Sequence, residues 1–165
     1  MRNPAAALVY FNVMMIIGPV VARPQPAPYP AGQARIVGTL EEAVGPQGGP
    51  VVLVFFSLDC HVCWDDLFEV RYLVESLSGP IAFVGISADS QDALEPFLAK
   101  HGFFYPVVCD RGRTLFRKFK VRLEPLTVVI DGGRTIHRDN QAEAPAVRRA
   151  RTRQCLLEIS SKRPS

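Results

Sequence analysis

Two cysteines separated by two residues, Cys60 and Cys63, are the part of the sequence best suited to chemistry. A pair with this spacing can bind a metal ion, form a structural disulfide, or cycle between dithiol and disulfide. A zinc site needs further ligands, and the sequence has neither a second CxxC nor a paired-histidine motif. A disulfide that closes so small a loop adds little stability by the chain-entropy argument. We therefore predict that the pair is redox-active.

The cysteine pair lies between a predicted strand and a predicted helix. The segment VVLVFF (Val51–Phe56) is continuously apolar, which is typical of a buried central strand. Apolar residues then recur at helical spacing, so Cys60 should lie at the N-terminal end of a helix. Unpaired backbone N–H groups and the positive end of the helix dipole would favour its thiolate. Cys60 is therefore expected to attack the substrate disulfide, and Cys63, one helical turn further on and closer to the core, to resolve the mixed disulfide.

Strands and helices alternate along the chain, and Gly132-Gly133 predicts a hairpin turn between the last two strands. This order predicts an α/β fold, with a central mixed β-sheet that is parallel in its first half and carries helices on both faces. Sites in such sheets form at the carboxyl ends of the strands, where the CxxC lies. The last helix is predicted to bury an apolar face made of Ala146, Val147, Ala150, Leu156, Leu157 and Ile159.

The composition is that of an ordinary globular domain. The chain has 165 residues, of which 48% are hydrophobic and 21% charged, and its formal net charge is +3. A domain of this length buries enough surface to fold without a metal ion or a disulfide. Basic residues cluster late, as in the Arg148–Arg153 segment, but without interleaved aromatic residues or a known binding motif. We interpret them as solvated helix faces and predict no nucleic-acid partner.

The N-terminal segment has the layout of a signal peptide. Arg2 precedes an apolar stretch at residues 5–22, and Val20 and Ala22 suit a cleavage site. The stretch is also long enough to be an uncleaved membrane anchor. We predict a signal peptide or N-terminal anchor at residues 1–22, a proline-rich spacer at 23–35 and one domain at 36–160. Export would place the domain in the periplasm or outside the cell, where disulfides form and persist.

Several motifs occur in the order found in one superfamily. The strand VVLVFF with its CxxC is followed by YPVVCD, KFKV, Pro125 and TVVIDGGRTI. In this order they resemble the thioredoxin superfamily, and more narrowly its exported TlpA-like and AhpC/TSA-like thiol–disulfide oxidoreductases, over residues 36–138. The resemblance implies a thioredoxin-like fold with no organic cofactor and no metal. It also implies that Pro125 is a cis-proline that packs against the CxxC and, with Glu124, binds extended substrate backbone.

The sequence departs from this superfamily around the cysteines. Asp59 stands where the first cysteine is usually preceded by tryptophan, and the chain's single tryptophan is Trp64. Val62 replaces a common proline, and Val54 occupies the position of a buried acid, so that proton acceptor is missing. Nearby carboxylates raise a thiol pKa, whereas the helix dipole and a protonated His61 lower it. Asp59, His61 and Trp64 are therefore expected to modulate the pair, and the direction of electron transfer stays open.

Four other residues receive structural interpretations. Asp65 and Asp66 suit the first turn of a helix, where carboxylates face the positive end of the dipole. Cys109 lies in an apolar predicted strand and Cys155 on the last predicted helix. Both are interpreted as buried, inert thiols, with a disulfide between them as the alternative.

The cysteine pair and the resemblance together predict an extracytoplasmic thiol–disulfide oxidoreductase. It would exchange disulfides with exported proteins and with a membrane or periplasmic redox partner. Residues 5–22 would provide a membrane tether if they are not cleaved.

Three alternatives stay open. A peroxiredoxin-like thiol peroxidase is one, because Ser57, three residues before Cys60, resembles the peroxide site of that family, although Leu53 stands where its motif has proline. A copper-handling protein of the same fold would use two cysteines and a distant histidine such as His137, but its cysteine spacing is wider than CxxC. The third is a non-catalytic partner protein that keeps the fold.

Overall fold

The computed structural model of the protein describes residues 35–46, 48–77 and 79–162. The predicted signal peptide or anchor at residues 1–22 and the spacer up to residue 34 lie outside the described residues, and both stay predictions. Within the described ranges, no helix combines the length and the apolar character needed to cross a membrane.

The described residues form one sheet and a set of helices. The strands are β1 (Arg35–Val37), β2 (Val51–Phe56), β3 (Ala82–Ser87), β4 (Pro106–Cys109), β5 (Leu126–Asp131) and β6 (Arg134–Arg138). The helices are α1 (Leu40–Val44), α2 (His61–Ser76), α3 (Gln91–Lys100), α4 (Thr114–Lys118) and α5 (Pro145–Lys162).

The sheet is mixed, as the alternation of elements predicts. Its strand order is β1-β4-β3-β2-β5-β6. Strands β1 to β4 run parallel to one another, whereas β5 is antiparallel to both β2 and β6. The β5–β6 turn contains Gly132 and Gly133 with φ of 55° and 76°, a left-handed conformation that glycine adopts at little cost. The predicted parallel half and closing antiparallel hairpin are both confirmed.

Strand β2 divides the core into two layers, because successive side chains of a strand point to opposite faces. Val52 and Phe56 belong to the layer that α2, α3 and α5 cover, and Cys63 lies in the same layer. Leu53 and Phe55 belong to the layer under α1 and α4. Helix α2 therefore packs on the strand that precedes it, and the second cysteine is part of the core.

The buried face of α5 differs from the predicted one. Ala146, Val147, Ala150 and Leu157 are exposed, so this part of the prediction is wrong. The buried residues are Arg148, Thr152, Leu156 and Ile159. The helix is turned this way because Arg148 and Thr152 meet buried carboxylates described below. The interpretation of the late arginines as solvated is accordingly wrong for Arg148, which is 5% exposed.

Short elements also depart from the prediction. β1 and α1 were not predicted, since a few residues carry too little periodicity to be recognised. Helix α4 is also short, and its N-terminal N–H groups are capped by Asp110. Asp110 is buried and accepts hydrogen bonds from Thr114, Leu115 and Phe116.

Candidate active site

Cys60 and Cys63 are joined by a disulfide at the carboxyl end of β2. Cys60 is the N-cap residue of α2, and its Cα lies 5.2 Å from that of Cys63. The backbone N–H of Cys63 donates to Cys60 Sγ at 3.2 Å. Cys60 is half-buried, whereas Cys63 is fully buried. The sulfur of Cys60 is therefore the one that an incoming group reaches first.

This position favours the chemistry of a thiolate at Cys60. The sulfur lies at the positive end of a helix of 16 residues and already accepts one backbone N–H. Hydrogen bonding to the charged form of a thiol stabilises that form, and the thiolate is the nucleophile of disulfide exchange. The geometry thus fits an attacking Cys60 and a resolving Cys63.

An aromatic group covers one side of the disulfide helix. The ring of His61 lies 4.5 Å from that of Trp64, which lies 4.9 Å from that of Phe97 on α3. His101 completes the group, 4.6 Å from Phe97. His61 and Asp59 are exposed and Trp64 is half-buried. The structure thus brings all three predicted modulating residues to the disulfide end of α2.

Asp89 supports the loop that leads into the cysteines. Its Oδ2 accepts the backbone N–H of Leu58 at 2.9 Å and the hydroxyl of Ser87 at 2.6 Å. Ser87 ends β3, the parallel neighbour of β2, so Asp89 holds the loop after one strand against the end of the next. Sequence analysis missed this residue. The sequence feature that could have identified Asp89 is an acidic residue two positions after a buried strand, at the sheet edge where the site forms.

The Glu124–Pro125 peptide bond is cis, as the resemblance implies. β5 begins at the next residue, Leu126, which pairs with Phe55 of the antiparallel β2. Because β2 ends at Phe56, this register places the cis-proline at the same end of the sheet as the cysteines. Pro125 is buried and Glu124 half-buried.

Arg113 is a second residue that sequence analysis missed. Its Nη2 lies 3.1 Å from Glu124 Oε1, and its guanidinium lies 4.1 Å from the centre of the Phe116 ring. Arg113 reaches this position from a left-handed backbone conformation with φ of 51°. The guanidinium of Arg113 therefore lies beside Glu124, the residue that precedes the cis-proline, although the two residues are eleven positions apart in the sequence.

Asp65 and Asp66 both lie beyond the first turn of α2, so their interpretation as first-turn residues is wrong, and Asp66 is buried. It is 1% exposed, and its two oxygens meet Arg148 Nη2 at 3.0 Å and Arg149 Nη1 at 2.9 Å. Burial raises the pKa of Asp66, while the two guanidinium groups act in the opposite direction. Val54 stands where the superfamily usually has a buried acid. Asp66 supplies a buried carboxylate at a different position, on the helix that follows Cys60.

A second buried carboxylate, Asp139, lies directly after β6. It accepts the backbone N–H of Thr127 at 3.2 Å and the hydroxyl of Thr152 at 3.2 Å. Burial alone would raise the pKa of Asp139, but hydrogen bonds from His137 and Thr127 and the nearby charge of Arg148 outweigh it. They hold that pKa below its usual value.

His137, the candidate copper ligand, belongs to this buried group. Its Nε2 lies 3.2 Å from Asp139 Oδ1 and 3.0 Å from Thr152 Oγ1. Across the part of the chain that the structure describes, no three His, Cys, Asp or Glu side chains come together as a metal-binding group.

Cys109 and Cys155 are free thiols, and each is half-buried. Cys109 Sγ donates to the carbonyl oxygen of Asp89 at 3.3 Å, close to the loop that leads into the CxxC. Burial raises the pKa of the Cys155 thiol, and the charges of Glu158 and Asp131 raise it further. The alternative of a disulfide between these two cysteines is not realised in the structure.

Solved structures of similar fold come from several bacteria. A thioredoxin-like protein from Porphyromonas gingivalis superposes with a TM-score of 0.61 at 18% identity, covering 84% of this chain and 95% of that one. Peroxiredoxin Q from Xanthomonas campestris has a TM-score of 0.57 at 20% identity, with 68% and 80% covered. A secreted Mycobacterium tuberculosis disulfide oxidoreductase homologous to E. coli DsbE has a TM-score of 0.52 at 19% identity, with 67% and 84% covered.

These likenesses confirm the predicted thioredoxin-like fold. Comparison with curated proteins finds no significant match. The sequence pattern of the AhpC/TSA family, in contrast, matches residues 32–138, which contain both cysteines and the cis-proline. The chain therefore belongs to the AhpC/TSA family.

Proposed function

We propose that the protein is an extracytoplasmic thiol–disulfide oxidoreductase that exchanges disulfides with exported proteins through Cys60 and Cys63. The observation that carries the proposal is the Cys60–Cys63 disulfide itself, placed at the N-terminal end of α2 and at the same sheet edge as cis-Pro125. The accessible sulfur and the buried sulfur have the unequal exposure that attack and resolution require.

In the reducing direction, the Cys60 thiolate attacks one sulfur of a substrate disulfide. A mixed disulfide forms, and the other substrate sulfur leaves as a thiolate. The Cys63 thiolate then attacks Cys60 Sγ, which forms the Cys60–Cys63 disulfide and releases the second substrate sulfur. Two electrons pass to the substrate, whose thiolates take protons from water. In the oxidising direction the same steps run in reverse, and a redox partner restores the starting state.

The surrounding residues take separate parts in this proposal. Glu124 and Pro125 would receive the extended backbone of the substrate beside the disulfide, with Arg113 holding the Glu124 side chain. Asp59 and His61 are exposed close to Cys60, so their charges would alter the stability of its thiolate. Trp64 would support His61 through the contact between their rings.

Two observations support a location outside the cytoplasm. The sequence before the domain has the layout of a signal peptide or anchor. One protein of similar fold is a secreted disulfide oxidoreductase. Exported proteins with thiols or disulfides would be the substrates, and a membrane or periplasmic protein would restore the redox state of the pair.

The proposal is tested by equilibrating the purified protein with glutathione redox buffers and following the two cysteines by alkylation and mass spectrometry. We expect a reversible dithiol–disulfide transition confined to Cys60 and Cys63. A midpoint near that of thioredoxin, about −270 mV, would identify a reductant, and one nearer about −120 mV an oxidant. Cys63→Ser should accumulate mixed disulfides at Cys60. A pair that shows no transition in such buffers would contradict the proposal.

A thiol peroxidase is a second candidate, because peroxiredoxin Q from Xanthomonas campestris has a similar fold. Ser57, whose Oγ accepts the N–H of Asp59 at 3.3 Å, lies beside Cys60. Peroxide consumption by the reduced protein distinguishes the two. In a peroxidase, peroxide would oxidise Cys60 to a sulfenic acid at a rate that rises with peroxide concentration, and the Cys63→Ser variant would keep this reaction. The proposed oxidoreductase would react faster with disulfides than with peroxide.

A further inference from the structure

Arg148 connects three parts of the protein. Its Nη2 lies 3.0 Å from Asp66 Oδ2 on α2, and its Nη1 donates to the carbonyl oxygen of Pro125 at 3.3 Å. The same Nη1 lies 3.5 Å from Asp139 Oδ2. A single side chain, 5% exposed, therefore joins the helix that carries Cys63 to the loop that carries the cis-proline.

On the α2 side, the link passes through Asp66. Asp66 lies three residues after Cys63, and residues with this spacing lie on neighbouring positions of one helix face. Arg149 occupies the second carboxylate oxygen at 2.9 Å and also binds Glu69 at 2.7 Å. Helix α2 is thus tied to α5 by ion pairs at the turn that follows the disulfide.

On the other side, the loop before β5 is held through its carbonyl groups. The carbonyl oxygen of Pro125 accepts a second hydrogen bond, from Gln141 Nε2 at 3.1 Å. Gln141 Nε2 also donates to the carbonyl oxygen of Leu123. Asp139 holds the first residues of β5 by accepting the N–H of Thr127. The loop is therefore anchored from the C-terminal part of the chain.

We propose that Arg148 is a positioning residue for disulfide exchange, which fixes the distance between the disulfide helix and the loop that receives the substrate backbone. The inference rests on the proposed function. The guanidinium group is planar and donates in two directions at once, so it can hold a carboxylate and a carbonyl oxygen in one fixed geometry. A lysine has its charge on one nitrogen and cannot reproduce that span.

Three variants separate positioning from mere charge or packing. Arg148→Lys keeps a positive charge for the buried Asp66 but loses the two-directional contact. Arg148→Met removes both the charge and the two contacts, and it leaves Asp66 paired with Arg149 alone, which can prevent folding. Arg151→Met is the matched control, because Arg151 is an exposed arginine of the same helix that pairs with Glu143 at 3.0 Å.

The first readout is a pair of second-order rate constants for the reduced protein. One substrate is a synthetic peptide with one disulfide, and the other is cystamine, a disulfide without a peptide backbone. We expect Arg148→Lys to lower the peptide constant about 10- to 100-fold and to leave the cystamine constant unchanged, as displacement of a bound reactant by about 1 Å can cost this much. An equal loss with both substrates, or no loss with the peptide, would overturn the proposal.

The second readout needs no enzymatic activity. Amide hydrogen exchange of the segment that covers residues 123–128 is compared with that of β2 in the native protein, Arg148→Lys and Arg151→Met. Positioning predicts faster exchange in the loop segment of Arg148→Lys alone, with β2 unchanged, and equal exchange in all three proteins would overturn it. If the native protein reacts with neither disulfide, the proposed function fails, and hydrogen exchange still decides whether Arg148 holds the loop.

Discussion

The backbone N–H of Cys63 points at the sulfur of Cys60, 3.2 Å away. This contact distinguishes the two sulfurs, since Cys60 is the half-buried N-cap residue of α2, whereas Cys63 lies in the first turn and is fully enclosed by the core. A hydrogen bond to the charged form lowers the pKa of a thiol, whereas enclosure among apolar side chains raises it. The two cysteines of the CxxC are therefore chemically unequal in the reduced protein.

This inequality predicts an order of alkylation. In the reduced protein, Cys60 should react first with iodoacetamide below pH about 8.5, the ordinary pKa of a thiol. Cys155 should react slowly until the pH is higher, because burial and nearby carboxylates raise its pKa. Peptide mapping by mass spectrometry after short pulses at several pH values measures the order. Faster alkylation of Cys63 than of Cys60 would contradict the assigned roles.

The neighbouring residues Asp65 and Asp66 of α2 should differ strongly in how much stability they lose when each is replaced by asparagine. Asp66→Asn removes the charge between Arg148 and Arg149 and should lower the free energy of unfolding by about 3–5 kcal/mol, the usual cost of breaking a buried ion pair. Asp65→Asn is the control, because Asp65 is exposed, and it should change stability by less than about 0.5 kcal/mol. Denaturant unfolding of both variants measures the difference. Equal losses would show that Asp66 is not the buried partner.

The sheet and the CxxC helix could be predicted because their residues are locally consistent. The strand VVLVFF is apolar at every position, and β2 has the predicted bounds, Val51–Phe56. The apolar residues after Cys60 recur at helical spacing, and α2 follows them. These elements are stabilised by burial of apolar side chains, and the spacing of apolar residues in the sequence is enough to predict them.

The buried ion pairs could not be predicted, because their partners are far apart in sequence. Asp66 and Arg149 are separated by 83 positions, and no local pattern relates them. A charged side chain at helical spacing from buried residues was the available signal: Asp66 lies beside Leu67 and Val70, and Arg148 lies one turn before Thr152. Either residue alone is more often at the surface, and only their pairing makes burial favourable.

Asp89 should be important for the loop that precedes Cys60. Asp89→Ala removes the acceptor for both Leu58 and Ser87, and leaving these donors without a partner should cost about 1–3 kcal/mol. Asp89→Asn keeps a side-chain oxygen at the same position and should retain most of the stability. Denaturant unfolding of the oxidised protein measures both variants, and the rate of disulfide exchange is followed in parallel. Equal losses in the two variants would assign the effect to the charge of Asp89 and not to its hydrogen bonds.

Asp139 predicts how stability depends on pH. Because the pKa of Asp139 is held below its usual value in the folded protein, its ionised form favours folding. That contribution is complete above the pKa of the unfolded chain and is lost as the pH falls through the lower, folded pKa. Asp139→Asn lacks it at every pH, so the variant should be less stable than the native protein near neutrality.

The difference between the two proteins should therefore shrink on acidification. Asp66 is present in both proteins, so its own dependence on pH largely cancels in this difference. Urea unfolding from neutral pH down to about pH 3 measures the two free energies of unfolding. If the difference in free energy of unfolding stays constant or widens toward acid, Asp139 is not an ionised acceptor for Thr127 and His137 in the folded protein.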